Sequence, residues 1–222
     1  MQRGYFEVKN VPNVNPESIL NDSPIPQDKI EIDGVTQTLG TGPDSIKIIK
    51  NFVDKNELEL LKGLCDSNYK DISFNQAQVQ KTNLIILKYK EKIKNAAEDV
   101  FGFKLEHDDL ANEQNLVTNY LNGRKPNFAT DVHTDTLTDI ENNTKYAWSG
   151  HISNLLYLND NYSGGELYFP HHKIKIKPEP GMLVSFPGNW FNRHGILPAS
   201  DFRYAINIFL KISNFPGQPL YI

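Results

Sequence analysis

From about residue 113 onward the chain reads as a series of short strands, and that run constrains the fold more than any other feature. NLVTNYL, ISNLLYL, GELYFP, KIKI, GMLVSFP, HGILP and FRYAINIFLKI are brief and rich in β-branched and aromatic residues. Asn-Asp, Gly-Gly, Pro-Glu-Pro-Gly and Pro-Gly separate them, residues that suit the backbone angles of turns. Strands at this spacing fold as a sandwich or barrel. In the last of them Arg203, Ala205, Asn207 and Phe209 share one face and Tyr204, Ile206, Ile208 and Leu210 the other, because side chains alternate with period two. The second face is a continuous apolar wall suited to a helical layer, which leaves Arg203 and Asn207 to line a barrel interior. A buried arginine there needs an anion.

The covering helices come earlier. IKIIKNF reads as a strand from residue 46. Asp54 then offers an N-cap, and Glu57 completes a capping box ahead of Leu58, Leu61 and Leu64, which predicts a helix over about 55–67. A second helix is predicted over roughly 78–101, where Leu84, Leu87, Ile93, Ala97 and Val100 recur at helical spacing before Gly102. Residues 1–44 are rich in Pro, Asn, Asp and Gly and read as an extended, irregular arm ahead of a domain over 45–222. The connection 136–150 is longer than compact domains usually leave without structure, about 12–15 residues, and reads as a lid that closes on substrate.

Composition removes several classes. The single Cys65 forms no internal disulfide and no zinc cluster, which fits a reducing, cytoplasmic setting. MQRGYFEVKN has no apolar leader, and no apolar run approaches the roughly 20 residues of a bilayer crossing, so no membrane partner is expected. With 23 basic and 27 acidic residues the net charge is −4, which does not favour nucleic acid as a partner.

His133-Thr134-Asp135 sets an imidazole and a carboxylate two residues apart, so an extended backbone points both the same way and offers two ligands to one metal. The pair alone is unspecific, since chance supplies about 0.7 His-x-acid pairs at this composition and His107-Asp108-Asp109 is another. That second pair follows a helix in a polar stretch and reads as a surface turn. Only the first is followed, across several strands, by Arg193-His194-Gly195 and then Arg203. Two His and one carboxylate on one face of a metal leave three positions open, two for a bidentate 2-oxo acid and one for dioxygen. Arg suits the far carboxylate of such an acid because its donors form a rigid fork. The same residues taken separately are ordinary strand-end polar groups, Tyr120 and Tyr157 equally barrel-filling aromatics, and Trp148 and Trp190 either line a substrate mouth or are packed, with packing the slightly favoured reading. His151, His171 and His172 carry no ligand role in this reading, and Gly164-Gly165 is first a turn requirement.

Taken in order, these motifs resemble the Fe(II)/2-oxoglutarate-dependent dioxygenases, and within them the prolyl 4-hydroxylase-like branch. The resemblance spans about 46–213 and includes IKIIKNFVDKNELELL, Tyr120, His133-x-Asp135, YLND with Gly164-Gly165-Glu166-Leu167-Tyr168-Phe169, KPEPGMLVSFPG, and HGILP followed by FRYAI. It implies an α+β, mainly β fold: a double-stranded β-helix, or jelly roll, at about 113–213, flanked by N-terminal helices at about 54–101. It implies His133, Asp135 and His194 as ligands of Fe(II), Arg203 on the distal carboxylate of 2-oxoglutarate, and Tyr120 holding the cosubstrate. The activity implied is hydroxylation of an unactivated C–H bond, of a prolyl residue in a peptide or protein or of a small molecule, with release of succinate and carbon dioxide. L-ascorbate is a family expectation. The chain departs from the pattern in having Arg203 where many collagen-type enzymes have Lys, and Ala205 where other branches have Ser. A second hydrogen bond to the carboxylate then falls to Tyr120 or Thr118. The alternative function is a non-catalytic jelly-roll module for binding or assembly, with the 1–44 arm mediating homo-oligomer formation. A cupin of other chemistry ranks last, because cupins usually present His-x-His with a following Glu.

Overall fold

The computed structural model describes residues 36–39, 45–70, 76–107, 121–135 and 152–212. Two antiparallel sheets face one another, and helices cover the outer side of the larger. In chain order the elements are β1 (Thr36–Leu39), β2 (Ile46–Ile49), α1 (Lys55–Lys70), α2 (Gln76–Phe101), β3 (Leu105–His107), β4 (Leu121–Arg124) and β5 (Thr130–His133). They continue with β6 (Ile152–Tyr157), β7 (Leu167–Phe169), β8 (Ile174–Ile176), β9 (Leu183–Pro187), β10 (His194–Ile196) and β11 (Arg203–Ile212). The large sheet runs β1-β2-β9-β6-β11-β3, with β4 also on β11, and the small one runs β5-β10-β7-β8. This is the expected jelly roll with its helical support. β1 lies inside the stretch read as an arm and pairs with β2.

The alternation in β11 does what its spacing predicts. Tyr204, Ile206, Ile208 and Leu210 are buried in one cluster with Leu58, Leu61 and Leu64 of α1 and Ile86, Ile93 and Ala97 of α2. Ala205 joins the other cluster, between the sheets, with Leu155, Tyr157, Leu167, Phe169, Val184 and Phe186. One strand therefore seals the helix layer with alternate residues and lines the barrel interior with the rest.

Local expectations fared unevenly. Asp54 caps α1 through its Oδ1, which accepts from the Asn56 amide at 2.9 Å, but the reciprocal half of the capping box is rerouted. The Tyr89 hydroxyl of α2 accepts from the Asp54 amide at 3.0 Å and donates to Glu57 at 2.7 Å, so tertiary packing places a phenol where the box would close on itself. α2 ends at Gly102, whose φ of +77° is the left-handed conformation a helix stop requires. Its buried face is set by Ile86, Tyr89, Ile93 and Ala97 rather than by Leu84 and Leu87, and Leu84 is 69% exposed. His107 ends a strand, not a surface turn: β3 pairs with β11, and the His107 ring is hydrogen-bonded to Glu91 at 2.8 Å. Asp108 and Asp109 lie outside the described residues, as do the 136–150 connection, Trp148 and His151.

Candidate metal centre

β5 and β10 are neighbours in the small sheet, and their register sets His133 directly across from His194. The register shifts between His194 and Ile196, an irregularity of the bulge type that re-aims side chains at a strand end. Asp135 follows two residues after His133, and its carboxylate stands between the rings. His194 Nε2 is 3.4 Å from Asp135 Oδ2, His133 Nε2 is 3.6 Å from Asp135 Oδ1, and the two ring centroids are 4.6 Å apart. One ligand atom from each of the three lies within 4.8 Å of the others, close enough to share an ion.

The surroundings prepare these atoms for ligation. His133 Nδ1 is hydrogen-bonded to the Asp131 carbonyl at 2.8 Å, and His194 Nδ1 to the Asn192 carbonyl at 3.1 Å. A carbonyl can only accept, so each ring places its N–H on Nδ1 and leaves the Nε2 lone pair facing Asp135. Ser153 of β6 donates to Asp135 Oδ2 at 2.6 Å, tying the small sheet's carboxylate to the large sheet. His194 is buried against Phe169 and Phe186, with centroids at 5.7 and 4.7 Å. That burial lowers its pKa, while the Asp135 charge opposes the shift, and the neutral ring is the form that binds a metal. His133 and Asp135 are only half-buried, so the cluster opens on one side. Two imidazoles and one carboxylate are the donor set that suits a non-haem Fe(II) with open positions.

Arg203 sits at the start of β11, on the barrel-lining side, and is 3% exposed. Its guanidinium carbon lies 4.9 Å from the centroid of the Tyr157 ring, and its Nε and Nη2 have no hydrogen-bond partner. The buried hydroxyls of Tyr157 and Tyr162 are also without one. A buried cation left in that state costs several kcal/mol, on the order of 3–5, unless an anion meets it. The orphaned donors fit a carboxylate.

His133, Asp135 and His194 are thus brought together, and Arg203 faces the interior as its strand position predicts. Thr118 and Tyr120 lie outside the described residues. Sequence reasoning missed Ser153, whose signal is a lone hydroxyl at an inward position of a wholly buried strand. It also missed the bond from His172 Nε2 to Asn192 Oδ1 at 2.8 Å, which steadies the residue whose carbonyl orients His194. His172 is half-buried for that reason, whereas His171 is exposed. Trp190 is not packed away: it is 62% exposed just ahead of His194, with Arg193 stacked 4.5 Å from its ring centroid.

Residues 116–211 match the sequence profile of the 2OG-Fe(II) oxygenase superfamily. No curated protein matches the chain. Among solved structures, AviO1 from Streptomyces viridochromogenes Tue57 aligns with TM-score 0.51 and 11% identity over 77% of this chain and 91% of its own. A Pseudomonas putida prolyl-4-hydroxylase aligns with TM-score 0.47 and 18% identity, covering 75% of this chain and 87% of its own. The viral collagen prolyl hydroxylase of Paramecium bursaria Chlorella virus-1 aligns with TM-score 0.48 and 17% identity, over 75% and 90%. The matched stretch carries His133, Asp135, His194 and Arg203. Fe(II) and 2-oxoglutarate are the metal and cosubstrate of that superfamily, dioxygen and an oxidisable substrate its other reactants. Among the described residues no helix is long and apolar enough to cross a membrane.

Proposed function

We propose that the chain is an Fe(II)- and 2-oxoglutarate-dependent dioxygenase that hydroxylates an unactivated C–H bond, with His133, Asp135 and His194 holding the metal and Arg203 the distal carboxylate of the cosubstrate. The observation that carries this reading is the pairing of three converging donors with a buried, unpartnered guanidinium in one barrel. Bound Fe(II) supplies oxidative decarboxylation of 2-oxoglutarate, to succinate and carbon dioxide, coupled to hydroxylation of the substrate.

The protein's own residues do the rest. The Nδ1 hydrogen bonds keep both imidazoles turned with Nε2 toward Asp135, and Ser153 holds the carboxylate between them. Phe169 and Phe186 exclude water from the His194 side, so one face alone is left for reactants. Arg203 offers two free donors to a carboxylate, which aligns a dicarboxylic acid along the barrel interior. Thr118 and Tyr120 belong to the same reading as further cosubstrate contacts. On the sequence resemblance, a prolyl residue of a peptide or protein is the first substrate to try and small molecules the second. A domain that takes in β1 together with residues 45–222, and a cytoplasmic setting in keeping with the single Cys65, complete it. A non-catalytic binding module would have no use for three pre-oriented metal donors beside an orphaned cation.

Anaerobic titration of Fe(II) into protein plus 2-oxoglutarate tests this. A weak visible charge-transfer band is expected in the wild type and none in His133→Ala. No band in either protein overturns the reading and returns the site to structural polar residues.

A further inference from the structure

Large apolar side chains that stand in solvent are few among the described residues, and two of them, Trp190 and Phe191, are consecutive. They occupy the short 3-10 turn Trp190–Asn192 that joins β9 to β10, directly ahead of His194. β9 ends at Pro187, which pairs with the first residue of β6, while β5 ends at His133 and β10 begins at His194. The turn therefore belongs to the end of the barrel at which the three metal donors meet.

Its backbone is firmly held. Asn189 Oδ1 accepts from the amides of Phe191 and Asn192 at 3.1 and 3.3 Å. Asn192 is fully buried and hydrogen-bonded to His172 at 2.8 Å, and the His171 ring meets Phe191 edge-on with centroids 6.1 Å apart. Side chains presented from so fixed a turn lose little freedom when something covers them, which favours docking. Arg193 gives the surface its charge. Its guanidinium carbon lies 4.5 Å from the Trp190 ring centroid, and Nη2 donates to the Val132 carbonyl at 3.2 Å, one residue before His133. A carbonyl does not neutralise a cation, and among the described residues no carboxylate pairs with Arg193. Lys173, exposed on the β7–β8 turn at the same end, adds a second positive charge to a chain whose net charge is −4. Trp and Arg are the residue types that anchor protein interfaces, and a cation stacked on an indole is held flat with its remaining donors outward. The surface is exposed rather than enclosed, which suits a polypeptide laid across it and not a small molecule that needs a cleft.

We propose that Trp190, Phe191 and Arg193 form a docking platform for an acidic polypeptide segment, with a ring-bearing side chain packed on the two aromatics and a neighbouring carboxylate on the Arg193 fork. That the docked segment is the one oxidised rests on the dioxygenase reading above, whereas the docking itself does not.

The test is selection of a random library of short peptides, displayed on phage, against the full chain loaded anaerobically with Fe(II) and 2-oxoglutarate. Wild type should enrich peptides in which Asp or Glu stands close to Pro, Phe, Tyr or Trp. A Trp190→Ala/Phe191→Ala variant should bind these peptides about thirtyfold more weakly or worse, as the loss of interface anchors does. Arg193→Gln should bind them about tenfold more weakly, and their Asn and Gln counterparts as wild type does. The altered side chains are exposed or half-buried, so both variants should melt close to wild type. No enrichment, enrichment without acidic residues, or capture indifferent to Trp190 and Phe191 overturns the platform. The visible charge-transfer band is read on the same samples. Its absence with peptide capture intact fails the dioxygenase reading alone, and its presence without capture fails this one.

Discussion

The two sides of β11 bury residues for opposite reasons. On the helix side Ile206, Ile208 and Leu210 are packed among Leu61, Ile86 and Ile93, and the Tyr204 hydroxyl in that row donates to Asp66 at 2.8 Å. On the barrel side Arg203 and Tyr157, whose ring centroid lies 4.9 Å from the guanidinium carbon, are just as deeply buried, yet Nε and Nη2 of the one and the hydroxyl of the other lack partners. Burial on the first side lowers the free energy of the fold directly, about 25 cal/mol per Å² of apolar surface. On the second it raises it, and that cost is offset only when something negative enters. Equal burial with unequal satisfaction separates the part of the strand that builds the fold from the part that serves a ligand.

The sharpest way to break this comparison is to truncate one residue on each side. Ile206→Ala should cost about 2–5 kcal/mol in urea unfolding, as a large-to-small change in a packed core does, with Fe(II) affinity of the folded protein unchanged. Arg203→Met should leave the unliganded protein no less stable and as much as about 1–4 kcal/mol more so, while its binding of 2-oxoglutarate collapses. Should both variants lose stability alike, the guanidinium has a structural partner and the two sides do not differ in kind.

A smaller effect sharpens the barrel side. Ser153 holds one oxygen of Asp135 from across the gap between the sheets. Loss of such an outer-shell partner typically lowers metal affinity about ten- to a hundredfold, so Ser153→Ala should weaken Fe(II) binding by that factor and barely move the melting temperature. An unchanged Fe(II) affinity would make the serine a bystander.

How legible these two sides were depends on where the information is stored. The alternation of β11 is complete over eight residues and pairs each polar position with an apolar neighbour, so its faces could be assigned before any partner was known. The same holds for the ordered spacing of His133, Asp135, His194 and Arg203. β3 and β5, by contrast, are LEH and TDVH, short polar segments with no strand signature, and they exist as strands because β11 and β10 supply hydrogen-bonding edges. Leu84 and Leu87 mimic a core stripe in α2, but the helix is turned so that Tyr89 reaches Glu57 and Asp54. Ser153 and Asn192 acquire their roles only from what the fold sets opposite them, which no single-chain periodicity encodes.

The smallest predicted effect lies on the helix side and depends on pH. Cys65 is buried there, and burial pushes its thiol from the ordinary 9.0 up to about 12, while Tyr89 is likewise raised from 10.0 to about 12. Both groups stay protonated in the fold but ionise in the unfolded chain once the pH passes their ordinary values. Their stabilising contribution is therefore fully present below about pH 9 and is lost as the pH rises towards 12. Cys65→Ala removes the contribution that starts to fail first, at a packing cost that does not vary with pH. The onset of the alkaline fall in the urea midpoint should then move from about pH 9 to about pH 10, where Tyr89 begins to count. An identical onset in variant and wild type would mean that the thiol does not titrate differently in the two states, and that the helix layer is less dry than its packing implies.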